Sequence, residues 1–195
     1  MSRLINNLLD FANLIRGVEH KHFEKINVVQ IVTKALEAYR YEVRKEGFVL
    51  NLDAAPDIPD TYVDPNAITM AFLNLVENSV KYSGDQKQID VRIARDGGFL
   101  ELSVRDRGIG IPVAEQQKIF DQFYRGNDAA VRRVRGSGIG LAITRRVARM
   151  HGGDVLVESE PGKGSTFPLR IPVIEDSQFE IQGSKVENGE SHTAN

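Results

Sequence analysis

The stretch NLVENSVKYS, residues 74–83, has the spacing of an amphipathic helix but an unusual polar face. Its apolar side chains form one stripe, and a second stripe one turn around the helix holds Asn74, Glu77, Asn78 and Lys81. Asparagine hydrogen-bonds to its own backbone and is a poor helix former, so two asparagines one turn apart are unexpected on a solvated face. This favours a binding face. The alternative is a solvated face with capping asparagines.

The composition is that of one ordinary domain with attachments. The chain has 195 residues, of which 41% are hydrophobic and 27% charged, which fits a domain of about 100–150 residues plus flanking segments. A net charge of -2 argues against a surface that coats nucleic acid. The absence of cysteine excludes disulfides and cysteine metal sites and fits a cytoplasmic compartment. No apolar run approaches the roughly 20 residues of a membrane span, although a longer parent protein could be anchored upstream.

The hydrophobic pattern predicts four regions. Residues 1–17 form a short helix with a coiled-coil-like seam, residues 18–27 form a linker, and residues 28–174 form the main domain. Residues 175–195 are polar and are predicted to be disordered. Within the main domain, helices and strands mix without a regular βαβ rhythm, which predicts an α+β sandwich.

Two glycine-rich segments have the character of ligand-binding loops. In DRGIGIP, residues 106–112, Asp106 closes a predicted strand, and Gly108 and Gly110 let the backbone approach a flat ligand. A carboxylate only accepts hydrogen bonds, so it would accept one from the adenine amine and repel the guanine carbonyl oxygen. In RGSGIGLAI, residues 135–143, three glycines lead into a helix whose free N–H groups would face an anion. For the first segment the alternative is a strand-ending turn.

Between these segments lies a loop, residues 125–138, with four arginines. We name it the lid loop, because a long, polar, arginine-bearing loop beside a helix start could close over phosphates and would be disordered without nucleotide. A solvated basic loop is the alternative. The later segment GKGST, residues 162–166, imitates the end of a P-loop, but Val157 stands where the first glycine should be. It is predicted to be a hairpin turn.

Taken together, five segments resemble the catalytic ATP-binding domain of sensor histidine kinases. That domain belongs to a superfamily that also contains type II topoisomerase, heat-shock chaperone and mismatch-repair ATPases. The segments NLVENSVKYS, DRGIGIP, IFDQFYRG, GSGIGLAI and GKGSTF, in this order between residues 74 and 167, are similar to the N box, G1, the F box, G2 and the last glycine motif. The FYRG match separates the kinases from their relatives.

The resemblance implies a two-layer α/β sandwich of Bergerat type, with a mixed sheet packed on helices and a short N-terminal helix before it. It also implies the cofactors ATP and Mg²⁺ and gives a role to each matched residue. On the phosphate side these are Asn78 for Mg²⁺, Asn74 and Lys81 for phosphate, Glu77 as the base, Arg125 in the lid loop, and Gly138, Gly140 and Leu141 around the phosphate pocket. On the base side they are Asp106 for the adenine amine, Gly108 and Gly110 flanking the base, Tyr82 near it and Thr166 behind it.

The chain differs from a complete kinase of this kind in one respect. The phosphoacceptor box His-Glu-x-x-x-x-Pro is absent, and His20 and His22 lie in the predicted linker. The chain is therefore expected to donate the γ-phosphoryl group to a histidine that it does not contain. The expected partners are a histidine-bearing dimerisation domain and a response regulator, but no nucleic acid. An ATPase, a serine kinase of the same superfamily and a nucleotide-gated interaction module remain as alternatives.

Overall fold

The computed structural model describes residues 22–128, 131, 134 and 136–176. The predicted N-terminal helix, residues 1–17, lies outside the described residues, as do His20 and most of the predicted tail 175–195. Within the described part, the α+β sandwich with a mixed sheet packed on helices is confirmed.

The sheet has five strands in one path, in the order β2 (Val49–Ala54), β4 (Gln88–Asp96), β5 (Phe99–Asp106), β8 (Gly164–Pro172) and β6 (Asp154–Val155). The strand β7 (Glu158–Glu160) also pairs with β8. The β2–β4 pair is parallel and the other pairs are antiparallel. A separate two-stranded sheet joins β1 (Glu24–Ile26) to β3 (Thr61–Val63).

Three helices make the second layer: α1 (Val28–Lys45), α2 (Pro65–Tyr82) and α3 (Gly140–Met150). Helix α2 contacts both of the others and also the sheet strands β4 and β5. Its side chains Ile68, Phe72, Leu75 and Val76 are completely buried. Burial of these side chains contributes roughly 1.5–3 kcal/mol each and holds α2 by its apolar stripe, so the stripe of Asn74 and Asn78 turns away from the core.

The N-terminus of α2 is fixed by side chains from two elements. An Asp-Pro pair is typical of a helix start, and the Asp64 side chain caps this helix by accepting from the N–H groups of Asn66 and Ala67, each at 3.0 Å. The N–H of Asp64 donates to Nε2 of the buried His151 at 3.0 Å. The His151 ring follows α3, and its Nδ1 lies 2.7 Å from the Val147 carbonyl oxygen. His151 therefore joins the end of α3 to the start of α2.

Regular structure and contacts continue beyond both predicted ends of the main domain. The predicted linker 18–27 contains β1, and Asn27 caps α1 by accepting from the Val29 N–H at 3.0 Å. At the other end, Asp176 lies 2.7 Å from Lys25 Nζ and accepts from the Tyr62 hydroxyl at 3.1 Å. A strand of three residues is too short to show an alternating hydrophobic pattern. A single exposed ion pair likewise leaves no pattern in the sequence. The exact domain limits remain a prediction.

Proline in a strand usually marks a sheet edge or a bulge, but the strand that contains Pro168 lies inside the sheet. Strand β8 is an interior strand, with β5 on one side and both β6 and β7 on the other. The Pro168 carbonyl accepts from the Leu156 N–H at 2.9 Å, and Pro168 has no N–H to return that bond. The strand opposite it is interrupted there, between β6 and β7. Among the described helices, none is long and apolar enough to cross a membrane.

Candidate functional site

A cavity of about 600 Å³ opens between α2, the start of α3 and the loop that follows β5. Its volume lies within the roughly 300–1,000 Å³ of small-molecule sites. The structure brings eleven of the predicted site residues to its wall: Asn74, Glu77, Asn78, Lys81, Tyr82, Asp106, Gly110, Arg125, Gly138, Gly140 and Leu141. Two predicted residues, Gly108 and Thr166, do not line it.

The polar stripe of α2 forms one wall of this cavity. Lys81 Nζ lies 3.2 Å from a Glu77 carboxylate oxygen, so the predicted base and the predicted phosphate-binding lysine form an i,i+4 ion pair. Nδ2 of Asn74 is buried and has no hydrogen-bond partner. A buried unpaired donor costs about 1–3 kcal/mol, so Asn74 carries an unmet donor beside the cavity.

At the other end, Asp106 is the buried carboxylate of the cavity wall, with 4% of its surface exposed. Its Oδ1 accepts from the N–H groups of Gly108 at 2.9 Å and Ser165 at 3.2 Å. Burial raises the pKa of Asp106 above its usual value, while these two N–H groups act in the opposite direction. Oδ1 is thus held by the protein, and Oδ2 remains to accept a hydrogen bond from a ligand.

The glycines of residues 106–112 serve packing. A Cβ at Gly108 would stand 2.1 Å from the Tyr82 carbonyl oxygen, so only glycine lets this loop meet the end of α2. Gly110 has a φ of 68°, and its Cβ would stand 2.0 Å from the carbonyl oxygen of Glu160. Gly108 therefore packs against the end of α2, whereas Gly110 lines the cavity. That both glycines flank the base stays a prediction.

Thr166 also lies outside the cavity wall. It lines a shallow depression together with Arg105 and Glu158. Successive residues of a strand point to opposite faces, and the neighbouring Ser165 lines the cavity. The place of Thr166 behind the base stays a prediction.

The described part of the lid loop is held by Arg125. Its Nη2 donates to the Val131 carbonyl at 2.7 Å and also to the Val134 carbonyl, while its Nε is buried without a partner. Burial raises the pKa of Tyr82 above its usual value, and the positive charge of Arg125 partly opposes this effect. Arg125 therefore acts on the cavity wall and the lid loop together.

Gly138 and Gly140 form the approach to α3. Gly138 has a φ of 71°, and its Cβ would stand 2.8 Å from the Tyr124 carbonyl oxygen, so the segment 123–124 packs directly on it. The N–H of Phe123 donates to the Gly138 carbonyl at 3.0 Å. The helix α3 then begins at Gly140 with no side-chain cap. No N-cap side chain occupies its first N–H groups, which is the arrangement found at helix starts that bind phosphate.

Two residues beside the cavity were missed by the sequence reasoning. Glu115 accepts from the Asn127 N–H at 3.2 Å, which attaches the turn after residue 112 to the start of the lid loop. Its neighbour Gln116 donates to two carbonyl groups on the base side. Both stand in a segment of mixed polar residues without periodicity, and their partners are set only by the fold.

The comparison with family models gives the class of protein. Residues 63–175 match the family of histidine kinase-, DNA gyrase B- and HSP90-like ATPases. This range contains the whole cavity wall described above, from Asn74 to Ser165. The chain belongs to this family.

Relatives narrow the class to sensor histidine kinases. The chain is 34% identical over 182 residues to the sensor histidine kinase WalK of Bacillus subtilis, which covers 91% of this chain and 29% of that protein. It is 31% identical over 178 residues to the sensor-like histidine kinase SenX3 of Mycolicibacterium smegmatis, covering 91% of this chain and 46% of that protein. The chain thus spans less than half the length of either relative, and the part that it shares with them carries the ATP-binding catalytic domain.

A solved structure of similar fold is full-length ShkA in complex with AMPPNP, which superposes with a TM-score of 0.73 and 25% identity. It covers 87% of this chain and 35% of that one. The mycobacterial sensor histidine kinase MprB superposes with a TM-score of 0.66 and 27% identity, covering 77% of this chain and 97% of that one. The Bergerat-type sandwich predicted from the motifs is confirmed.

Proposed function

We propose that this chain binds Mg·ATP in the cavity and donates the γ-phosphoryl group to a histidine on a separate helical hairpin. The observation that carries this proposal is the make-up of the cavity wall, with the polar stripe of α2 and the uncapped start of α3 at one end and the buried Asp106 carboxylate at the other. Phosphate oxygens accept hydrogen bonds from amide and backbone N–H groups of this kind. Asp106 stands at the base side with one carboxylate oxygen left for the adenine amine.

The wall of α2 also fits a magnesium ion bound through the phosphates. Within the described residues there is no cluster of three or more histidine, cysteine or acidic side chains that could hold a metal alone. Mg²⁺ keeps several waters and takes only one or two protein ligands when phosphates supply the rest. The neutral amide oxygen of Asn78 is our candidate ligand, and the ion would neutralise charge on the β- and γ-phosphates.

In the transfer itself, an imidazole nitrogen of the acceptor histidine attacks the γ-phosphorus. The bond to the β,γ-bridging oxygen breaks and ADP leaves with that electron pair. Because the transition state is loose, the protein contributes mainly alignment and charge stabilisation, which we assign to Arg125, Lys81 and the N–H groups at Gly140. Glu77 takes the proton on the other imidazole nitrogen, since its carboxylate lines the same wall.

The partners follow from this assignment. A hairpin with the acceptor histidine would come from the parent protein or act in trans, and a response regulator would receive the phosphoryl group next. The names of the relatives WalK and SenX3 support this reading. A cytoplasmic position, in a parent protein that could be anchored upstream, is proposed with it.

Calorimetry with ATP, with and without magnesium, tests the site before any transfer is measured. Wild type should bind ATP more tightly with magnesium, and Asn78→Ala should lose most of that gain while keeping its affinity for adenosine. Gln86→Ala, an exposed change in the loop after α2, is the matched control. No binding of ATP by wild type, or an equal effect of magnesium on wild type and Asn78→Ala, would contradict the assignment.

A further inference from the structure

The side chain of Gln116 joins two segments on the base side of the cavity without lining it. Its Nε2 donates to the Ile111 carbonyl at 3.0 Å and to the Ser159 carbonyl at 2.8 Å. A side-chain amide has two N–H donors, and both are used here. One half-buried side chain therefore ties the loop after β5 to strand β7.

Further hydrogen bonds lead from Ser159 through two hydroxyl groups to Asp106, the carboxylate proposed to bind the adenine amine. Ser159 Oγ accepts from the Ile111 N–H at 2.8 Å and donates to the Gly164 carbonyl at 2.9 Å. Since a hydroxyl has one hydrogen, its contact of 2.9 Å with Ser165 Oγ has Ser165 as the donor. The Ser165 N–H in turn donates to Asp106 Oδ1.

This chain of contacts determines which way Asp106 can face. Oδ1 is directed at Ser165 and Gly108, so the rotation of the carboxylate depends on the position of β8 relative to the loop. Strand β8 itself is placed by its pairing with β5, and Gln116 and Ser159 fix Ile111 of the loop beside it. A buried network that is fully satisfied fixes one arrangement, whereas a partly satisfied one does not.

We propose that Gln116 is a positioning residue for adenine specificity, which rests on the proposed nucleotide site. It closes the base pocket on its outer side and holds Oδ2 of Asp106 toward the amine of a 6-aminopurine. Without this tie, Asp106 accepts the amine less well and also repels a 6-oxopurine less strongly. The loss is therefore in discrimination between bases as well as in affinity.

The experiment compares ADP with inosine diphosphate, each with magnesium, by calorimetry. Gln116→Met removes both donors and keeps most of the packing, and Gln117→Met changes an exposed neighbour as the matched control. We expect Gln116→Met to bind ADP about 3–10-fold more weakly, the size of one or two net hydrogen bonds, and to bind inosine diphosphate with little change. Gln116→Glu should be worse still, because a carboxylate of that length faces two carbonyl oxygens.

Two further measurements separate the possible failures. Asn78→Ala should weaken both nucleotides by the same factor, because it acts on the phosphate side, and the preference for ADP should stay. Thermal unfolding of each variant identifies loss of fold. If wild type prefers ADP and folded Gln116→Met keeps the full preference, the positioning role is wrong; if wild type binds neither nucleotide, the proposed function is wrong.

Discussion

The side-chain oxygen of Asn74 lies 3.5 Å from the point that a Cβ on Gly140 would occupy. This is an ordinary contact distance, so the two helices meet at the cavity with room for a methyl group. Packing therefore does not require glycine at residue 140, and we propose that Gly140 serves the ligand, unlike Gly110, whose Cβ would meet a backbone oxygen at 2.0 Å.

Gly140→Ala should separate these two uses of glycine. Alanine is the better helix former by about 1 kcal/mol, so the free energy of unfolding should stay the same or rise, while the added methyl group should weaken ATP binding. Gly110→Ala should instead destabilise the fold by about 1–3 kcal/mol. Urea unfolding and calorimetry measure both quantities. Normal ATP affinity in Gly140→Ala would mean that the start of α3 does not face the nucleotide.

Asp106→Asn should weaken ATP binding by about 1–3 kcal/mol, because an amide would be mispaired with the adenine amine. The Oδ1 of asparagine can still accept from Gly108 and Ser165, so the fold is kept. Asp53→Asn, in the exposed part of edge strand β2, is the control. Calorimetry that gives both variants the affinity of wild type would remove Asp106 from the site.

The raised pKa of Asp106 predicts a pH dependence of stability without nucleotide. Burial, opposed by the N–H groups of Gly108 and Ser165, raises its pKa above the usual 3.8. The folded state therefore binds more protons than the unfolded state just above pH 3.8, and the stability linked to Asp106 is full below that pH and lost as pH rises through the folded pKa. As the pH rises from about 4 to 7, wild type should therefore lose stability relative to Asp106→Asn. Urea unfolding at both pH values tests this, and a constant difference would contradict it.

Arg125→Ala should lower affinity for ATP but leave adenosine binding unchanged, because Arg125 is assigned to the phosphates. The expected loss is about 1.5–3 kcal/mol, the range for hydrogen bonds to a charged group. Arg92→Ala, an exposed change on β4, removes the same charge elsewhere. An equal loss for ATP and adenosine would indicate that Arg125 only supports the wall through Val131 and Val134.

The fold was predictable where residues repeat with a period. The helical spacing of apolar residues in α2 and the Asp64-Pro65 pair at its start correspond to a capped helix in the structure. Most of the cavity wall lies in the five motifs. What could not be predicted depends on contacts between distant segments. The inward side of β8 at Ser165, the tie at Gln116 and the contact of His151 with Asp64 leave no pattern in the sequence.

The central claim is transfer to histidine, and the most direct test uses γ-radiolabelled ATP with a hairpin that bears an acceptor histidine, ideally from the parent protein. The account predicts that the label passes to the hairpin, that acid removes it and that base does not. Replacing the acceptor histidine should abolish it, and Asn78→Ala in this chain should reduce it strongly. Acid-stable label on a serine, or release of free phosphate with no labelled protein, would contradict the account.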